Sequence, residues 1–291
     1  MKKILWLLTS LLFLAGSEAY AKLTVAASLP DLASIAAYVG GDRVSAFSIA
    51  RPNADPHSVE VLPSYMVRVS RADVYLKVGM SLDQWADQII DGSRNGRIRI
   101  VDCSNGIAVL EKPGKVDASL GDVHPEGNPH YWLDPENGML VAQTIADALT
   151  AADPSGAATY SANLDRFKAE VTRKMAVWKV TAAAIPNRTI LTYHSSWPYF
   201  AQAFGFTIPA HIEPIPGIPP NAGHLAHLVK IIKEQQVTAV ISEPYYSDDA
   251  ANFLARETGV KLFKITPSCA DASPNSYLDH FQQIFDALKG N

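Results

Sequence analysis

The sequence predicts an α/β protein with two lobes, each built on a mostly parallel β-sheet flanked by helices. Short apolar runs that are typical of strands alternate with amphipathic helical segments, and this alternation is the pattern of parallel sheets covered on both faces. One long segment with apolar residues at every third or fourth position interrupts the alternation, which then resumes. The 291 residues suffice for two such lobes.

The N-terminal lobe is predicted over residues 22–152. Its strands are expected at 23–27, 44–49, 74–78 and 98–101, and its first helices at 31–39, 63–70 and 82–90. A polar, glycine-rich loop is expected over 117–127. The helix that follows should begin at Asp134-Pro135 and extend to about residue 149, because aspartate caps helix N-termini and proline fits the first turn.

One long helix, over residues 153–186, is predicted to join the two lobes. Its apolar side chains form a continuous stripe of Tyr160, Leu164, Phe167, Val171, Met175, Trp178 and Ala182. Pro186 should end the helix because proline cannot donate the backbone hydrogen bond. Periodicity alone fits a rigid connector and an ordinary packing helix of one domain equally well.

The C-terminal lobe is predicted over residues 187–291. Strands are expected at 189–193, 207–212, 237–242 and 261–265, and helices at 197–204, 224–234, 248–258 and 277–288. Ligands of open parallel sheets bind outside the carboxyl ends of the strands. His194 and Glu243 both stand at such ends, which places a candidate site between the lobes.

The first 21 residues are predicted to be a secretory signal peptide that is cleaved after Ala21. Lys2 and Lys3 precede an apolar run over residues 4–15, and small residues surround the expected cleavage point. The apolar run is too short for a membrane-spanning helix. The mature protein is therefore expected in a periplasm, without a lipid anchor because no cysteine follows the cleavage point.

The net charge limits the kinds of binding partner, and the number of cysteines limits the possible disulfides. A net charge of −4 argues against nucleic acid or an anionic membrane as partner. Cys103 and Cys269 are the only cysteines. An oxidising compartment permits a disulfide between them, and two buried thiols are an equal alternative.

Three histidines stand in three unlike local settings at the ends of predicted elements: His57, His130 and His194. Loops held by a rigid scaffold are where ligand groups concentrate, so three imidazoles from three parts of the chain suggest one metal ion. His124, in the polar loop, is a candidate accessory contact. The histidines that fall inside helix or strand patterns are expected to be structural: His211, His224, His227 and His280.

The segments around these histidines resemble the periplasmic solute-binding proteins of zinc and manganese ABC importers. The matching segments are Asp55-Pro56-His57-Ser58-Val59-Glu60, Asn128-Pro129-His130-Tyr131-Trp132-Leu133-Asp134-Pro135, His194 with Trp197-Pro198-Tyr199-Phe200, Pro216-Gly217-Ile218 and Ser242-Glu243-Pro244. The resemblance covers the whole mature chain. It implies two α/β lobes joined by a long helix, a metal ion in the cleft, and His57, His130 and His194 as its ligands.

The fourth ligand is open at this point. The family usually places an aspartate just after the last strand, and Thr266 occupies that position here. We predict Glu243 as the fourth ligand, with an alternative role of fixing loop geometry through hydrogen bonds. Water, Asp271 and Cys269 are the other options.

Three imidazoles and one oxygen favour Zn²⁺ over Mn²⁺, because Mn²⁺ prefers sites richer in carboxylate. The expected function is capture of Zn²⁺ by a monomer that delivers it to an inner-membrane ABC permease, as the resemblance implies. The alternatives are a Mn²⁺-binding importer component and a zinc-dependent hydrolase. An enzyme is not predicted, since the sequence lacks H-E-x-x-H and a general base beside a ligand.

Overall fold

The computed structural model describes residues 21–114 and 124–289. The predicted signal peptide, apart from Ala21, and most of the loop over 117–127 therefore lie outside the described residues. Within the described part, the chain forms two parallel sheets flanked by helices. None of its helices there is both long and apolar enough to cross a membrane.

The N-terminal lobe contains a four-stranded sheet. Its elements are β1 (Leu23–Ala27), α1 (Pro30–Gly40), β2 (Val44–Ser48), α2 (Pro63–Val69), β3 (Val74–Lys77), α3 (Trp85–Ser93), β4 (Arg99–Asp102) and α4 (Pro135–Ala152). The strand order is β2-β1-β3-β4, and every pair is parallel. As predicted, Asp134 caps α4 by accepting a hydrogen bond of 2.8 Å from the backbone N–H of Glu136.

The long helix α5 (Ala157–Ala183), which the apolar stripe predicted, joins the lobes. Its 27 residues span about 40 Å at 1.5 Å per residue. A single 3-10 turn at Pro154–Gly156 precedes it, so the helix begins later than the predicted residue 153. Every residue of the predicted stripe is buried, which explains why the helix packs along its whole length.

The C-terminal lobe contains a three-stranded parallel sheet in the order β5-β6-β7. Its elements are β5 (Ile190–Thr192), α6 (Pro198–Phe204), α7 (Ala222–Glu234), β6 (Ala239–Ser242), α8 (Asp249–Thr258), β7 (Lys261–Lys264) and α9 (Ser276–Lys289). The carboxyl end of β5 faces the N-terminal lobe, because His194, two residues beyond this strand, lies against His57 and His130.

The predicted strand over 207–212 is wrong. Only two isolated parallel bridges form there, between Thr189 and Thr207 and between Thr192 and His211. Pro209 lies between the two bridges. Since proline cannot donate to a strand ladder, the segment follows the edge of the sheet without joining it as a regular strand.

The larger of two apolar cores among the described residues extends across both lobes, and the smaller one lies within the C-terminal lobe. The larger core includes Leu32 and Ile35 of α1, Phe200 of α6, and Phe281 and Phe285 of α9. Helix α9 thus returns from the C-terminal sheet and packs against the N-terminal lobe and α5. This packing holds the loops at the carboxyl ends of the two sheets close together.

Candidate metal centre

Three imidazoles, two from the N-terminal lobe and one from the C-terminal lobe, meet between the sheets. His57, His130 and His194 each offer one nitrogen, and these nitrogens all lie within 4.8 Å of one another. The ring centroids are 5.1 Å apart for His57 and His130, 5.1 Å for His57 and His194, and 5.4 Å for His130 and His194. Zn²⁺ binds imidazole nitrogen at about 2.0–2.1 Å, so rings at this spacing can converge on one ion.

His57 stands on the loop that follows β2, and Asp55 holds its ring. Oδ1 of Asp55 accepts two hydrogen bonds of 2.9 Å from His57, one from the backbone N–H and one from Nδ1. Burial acts to raise the pKa of Asp55, but the hydrogen bonds and charge of His57 outweigh it and hold that pKa below its usual value. Nε2 of His57 is buried without a hydrogen-bond partner, as a metal-binding nitrogen would be.

His130 is held in the same way by Asn128. Oδ1 of Asn128 accepts from the backbone N–H and from Nδ1 of His130, both at 3.0 Å. Nε2 of His130 is likewise buried without a partner. Burial is the main cause that holds the pKa of His130 well below its ordinary value, and the three neighbouring imidazoles lower it further. The ring is therefore neutral at physiological pH.

His194 follows β5, and its ring is held by a residue from another segment. Its Nδ1 lies 2.8 Å from Oε2 of Glu213, and this oxygen also accepts from the backbone N–H of Gly217 at 3.3 Å. Gly217 has a φ of +78°, which glycine adopts without strain. The three histidines share one design, in which an oxygen at Nδ1 directs the Nε2 lone pair toward the common space.

Glu243, the predicted fourth ligand, lies at the end of β6 and is fully buried. Its Oε1 accepts a hydrogen bond of 3.0 Å from Nε1 of Trp197, and its Oε2 has no hydrogen-bond partner. Burial is the main cause that raises the pKa of Glu243 to about 8. Across the described residues, the group of mutually close ligand atoms comprises the three histidines and does not include Glu243.

Asp271 and Cys269, the other side chains considered for the fourth position, also lie outside that group, and Thr266 stands where the family usually has an aspartate. The hydroxyl of Thr266 donates a hydrogen bond of 2.6 Å to the carbonyl of Pro52. The carboxylate of Asp271 accepts from the backbone N–H of Ser273 at 2.8 Å, which turns it toward its own loop. Both side chains are thus engaged with groups other than the imidazoles.

The two cysteines are both buried free thiols. Burial raises the pKa of Cys103 and of Cys269, so both remain protonated at neutral pH. A protonated thiol is a poor metal ligand, because the thiolate is the binding form. Cys269 donates from its sulfur to the carbonyl of Asp271 at 3.3 Å.

His124 lies beside the three imidazoles. Its ring centroid is 5.2 Å from that of His57, and it lines a cavity of about 170 Å³ together with Glu111, His130 and His194. Its role as an accessory contact stays a prediction. His211 and His224 form hydrogen bonds away from the three imidazoles. Nδ1 of His211 bonds the hydroxyl of Thr192, and Nε2 of His224 bonds the backbone carbonyl of His211.

The sequence did not predict the residues that orient the imidazoles, which are Asp55, Asn128 and Glu213. Two of them had a local signal, because an Asp-Pro-His and an Asn-Pro-His segment each place a side-chain oxygen two residues before a histidine. Side chains of Asp and Asn bond the backbone two residues on, and here they also reach the ring. Glu213 had no local signal, since it lies 19 residues from His194.

Known metal-binding proteins are similar to this chain in sequence. The profile of the family described as "ZnuA: Zinc-uptake complex component A periplasmic" matches residues 25–291. The iron-binding protein YfeA of Yersinia pestis is 27% identical over 251 residues, which cover 84% of this chain and 77% of YfeA. The manganese-binding lipoprotein MntA of Halalkalibacterium halodurans is 27% identical over 249 residues, which cover 82% of this chain and 77% of MntA.

Solved structures share the fold. A crystal structure of ZnuA superposes with a TM-score of 0.79 at 28% sequence identity, covering 92% of this chain and 99% of that chain.

Proposed function

Because this chain belongs to the ZnuA family of periplasmic metal-binding components of ABC importers, we propose that it captures Zn²⁺ and delivers it to an inner-membrane permease. Members of this family are solute-binding proteins and not enzymes, so the zinc-dependent hydrolase does not apply. The protein is thus a metal-binding component of an importer, and the metal ion is its cargo.

The convergence of His57, His130 and His194 carries the proposal. Each ring receives an oxygen at Nδ1, which leaves Nε2 as the nitrogen for the metal. Imidazole binds metal only when it is neutral, and the low pKa of His130 keeps that ring ready for the ion. Nε2 of His57 and Nε2 of His130 are buried without a hydrogen-bond partner, which is energetically unfavourable. A bound ion would remove this penalty by giving both atoms a partner.

The ligand set favours zinc as the cargo. Relatives are named for iron and for manganese, and the family for zinc, so the similarity alone does not choose the metal. Two of the carboxylates near the rings, those of Asp55 and Glu213, are engaged with Nδ1 atoms. Mn²⁺ prefers carboxylate and water oxygens, whereas neutral imidazole suits Zn²⁺. The Mn²⁺-binding component is the alternative.

The fourth coordination position is proposed for an oxygen donor, either the predicted Glu243 or water. Oε2 of Glu243 has no hydrogen-bond partner, which supports the carboxylate, but Glu243 lies outside the close group, which favours water. Glu243→Gln keeps the acceptor for Trp197 and removes the anionic ligand. An affinity for Zn²⁺ that is near that of the wild type would assign the position to water, and a large loss would assign it to Glu243.

We place the working protein in the periplasm as a monomer, after cleavage of the signal peptide at Ala21. The two lobes contribute different ligands to one ion, so the ion links them. A permease that displaces the lobes relative to each other would separate the ligands and release the cargo.

Metal competition tests the assignment of zinc. Protein prepared without a histidine tag and stripped with chelator is titrated with Zn²⁺ alone, and then with Zn²⁺ in the presence of excess Mn²⁺. The proposal expects one tightly bound zinc per chain that manganese does not displace. Displacement by equimolar Mn²⁺ would favour the manganese alternative, and the absence of binding of either ion would refute the metal site.

A further inference from the structure

Glu111 joins the two lobes at the rim of the metal centre. Its Oε2 accepts a hydrogen bond of 2.9 Å from Nδ2 of Asn128, which precedes the long helix. The same oxygen accepts a hydrogen bond of 2.9 Å from the hydroxyl of Ser195, which follows that helix. One carboxylate oxygen therefore bridges a residue two positions before His130 and a residue directly after His194.

The bond to Asn128 helps to fix which end of its amide faces His130, together with the backbone N–H of His130, which donates to Oδ1. An amide has one donor end and one acceptor end, whereas a carboxylate only accepts. Nδ2 of Asn128 donates to Glu111 and also to the backbone carbonyl of Ser195 at 2.7 Å. Both acceptors demand the NH₂ end, which leaves Oδ1 to accept from Nδ1 of His130. A proton fixed on Nδ1 places the lone pair on Nε2, where the metal binds.

The backbone around Glu111 is built to hold this side chain in place. The N–H of Leu110 donates to the hydroxyl of Tyr199 at 3.1 Å, and the N–H of Asn128 donates to the carbonyl of Leu110 at 2.9 Å. Glu111 itself has a φ of +50°, in the left-handed region that is uncommon for residues other than glycine. Such strain is retained where the surrounding structure requires it, as at ligand sites.

We propose that Glu111 is a positioning residue of the metal centre, which fixes the amide of Asn128 and thereby the tautomer of His130, and ties this support to the His194 side of the cleft. Its effect on metal affinity rests on the proposed function, but its effect on the tautomer does not. The carboxylate acts through Asn128 and Ser195 and is not itself a ligand in this assignment.

Glu111→Ala and Glu111→Gln separate the hydrogen bond from the charge, because glutamine retains an oxygen that can accept both hydrogen bonds. Glu126→Ala is the matched control. Glu126 lies in the same loop region as Asn128 and accepts a hydrogen bond from Ser81, within the N-terminal lobe alone. Because Glu111 and Glu126 are both exposed, the variants should fold like the wild type.

The first readout uses metal-free, ¹⁵N-labelled protein, in which long-range ¹H–¹⁵N correlation spectra report the tautomer of His130. The wild type should show the Nδ1–H form, Glu111→Ala a mixture with the Nε2–H form, and Glu111→Gln and Glu126→Ala the wild-type pattern. The second readout is the dissociation constant for Zn²⁺. Glu111→Ala should raise it about tenfold, the low end of the range for outer-shell partners, because Glu111 acts one step beyond such a partner.

A Glu111→Ala protein that matches the wild type in both the His130 tautomer and the zinc affinity would overturn the proposal. An equal loss of affinity in Glu126→Ala would overturn it as well, since the effect would then be that of any loop carboxylate. A tautomer change in Glu111→Ala, together with a wild-type protein that binds no zinc, would support the positioning role while refuting the proposed function.

Discussion

The imidazole of His194 and the carboxylate of Glu213 form a hydrogen-bonded pair of 2.8 Å in which each side chain is only 6% exposed. The pair spans 19 residues of sequence, from the end of β5 to the loop after the edge segment. A buried carboxylate at Nδ1 fixes the tautomer and the orientation of the ring. Glu213 is therefore the support on which the C-terminal lobe's contribution to the site depends.

Replacement of Glu213 by alanine should weaken Zn²⁺ binding by about 10- to 100-fold, the range typical of outer-shell partners of metal-ligating histidines. Isothermal titration calorimetry on chelator-stripped protein measures the change. The control is Glu234→Ala, which removes an exposed carboxylate whose only described ion pair is with Lys230, one helical turn away. Equal affinities for Glu213→Ala and the control would contradict the supporting role.

Loss of a ligand should cost more than loss of its support. We expect His57→Ala to weaken Zn²⁺ binding by more than about 100-fold, above the range for outer-shell partners, with the far-UV circular dichroism spectrum unchanged. His227→Ala is the matched control, because His227 is exposed on α7 and outside the group of converging nitrogens. Retention of tight binding by His57→Ala would remove His57 from the ligand set.

Zinc affinity should decrease as the pH falls from about 7.5 to about 5.5, because imidazole must be neutral to bind metal. The pKa of His130 lies well below its ordinary value, so this ring stays neutral and does not add to the proton competition. The slope of log K against pH should therefore reflect at most two of the three imidazoles. A competition assay with a chromophoric chelator measures it, and a pH-independent affinity would argue against a three-histidine site.

Asp31 should make the metal-free protein less stable as the pH rises. Burial raises the pKa of Asp31 from 3.8 to about 7, and Oδ2 has no hydrogen-bond partner. Because the folded pKa exceeds the unfolded one, the native state binds the proton more tightly, and its stabilising effect is lost as the pH rises from about 4 to about 7.

Asp31→Asn removes this loss. Its free energy of unfolding, relative to that of the wild type, should increase over this pH range by at most about 4 kcal/mol and then level off. Urea denaturation at several pH values measures the difference. Asp42→Asn, at an exposed aspartate, should show no such pH dependence. A pH-independent difference for Asp31→Asn would contradict the raised pKa.

The long helix should contribute strongly to stability through Trp178. This side chain is 1% exposed, and its ring centroid lies 5.3 Å from that of Phe281 and 6.4 Å from that of Phe285. Trp178→Ala should cost about 3–5 kcal/mol because it leaves a cavity in the core. Val180→Ala is the control on the same helix, since Val180 is 72% exposed. A loss below that of the control would place α5 outside the core.

Local patterns in the sequence were enough for most of the fold. The stripe from Tyr160 to Ala182 predicted α5 because apolar periodicity reports directly which helix face is buried. The strand predicted over 207–212 does not form. Its apolar residues fit a strand pattern, but Pro209 cannot donate a backbone hydrogen bond to the neighbouring strand. Alternation of apolar residues records burial, and it does not record whether every backbone N–H can pair.

The candidate site was predictable where its signals are local. His57, His130 and His194 stand at element ends, and the structure brings their nitrogens together. Glu213 and Glu111 could not be found in this way. The imidazole partner of Glu213 lies 19 residues away, and the partners of Glu111 lie 17 and 84 residues away, so both sets of bonds depend on the tertiary fold. Long-range hydrogen bonds are a product of the tertiary fold, so no sequence window contains them.

The apolar core that includes residues from both sides of α5 has a consequence for calorimetry. Because this larger core takes residues from both lobes, while only the smaller core is confined to the C-terminal lobe, heating should produce one cooperative endotherm instead of two. A cargo ion that binds only the native form would then shift that whole endotherm upward, by an amount set by its free concentration and affinity. The thermal midpoint of the intact chain is thus a direct gauge of occupancy.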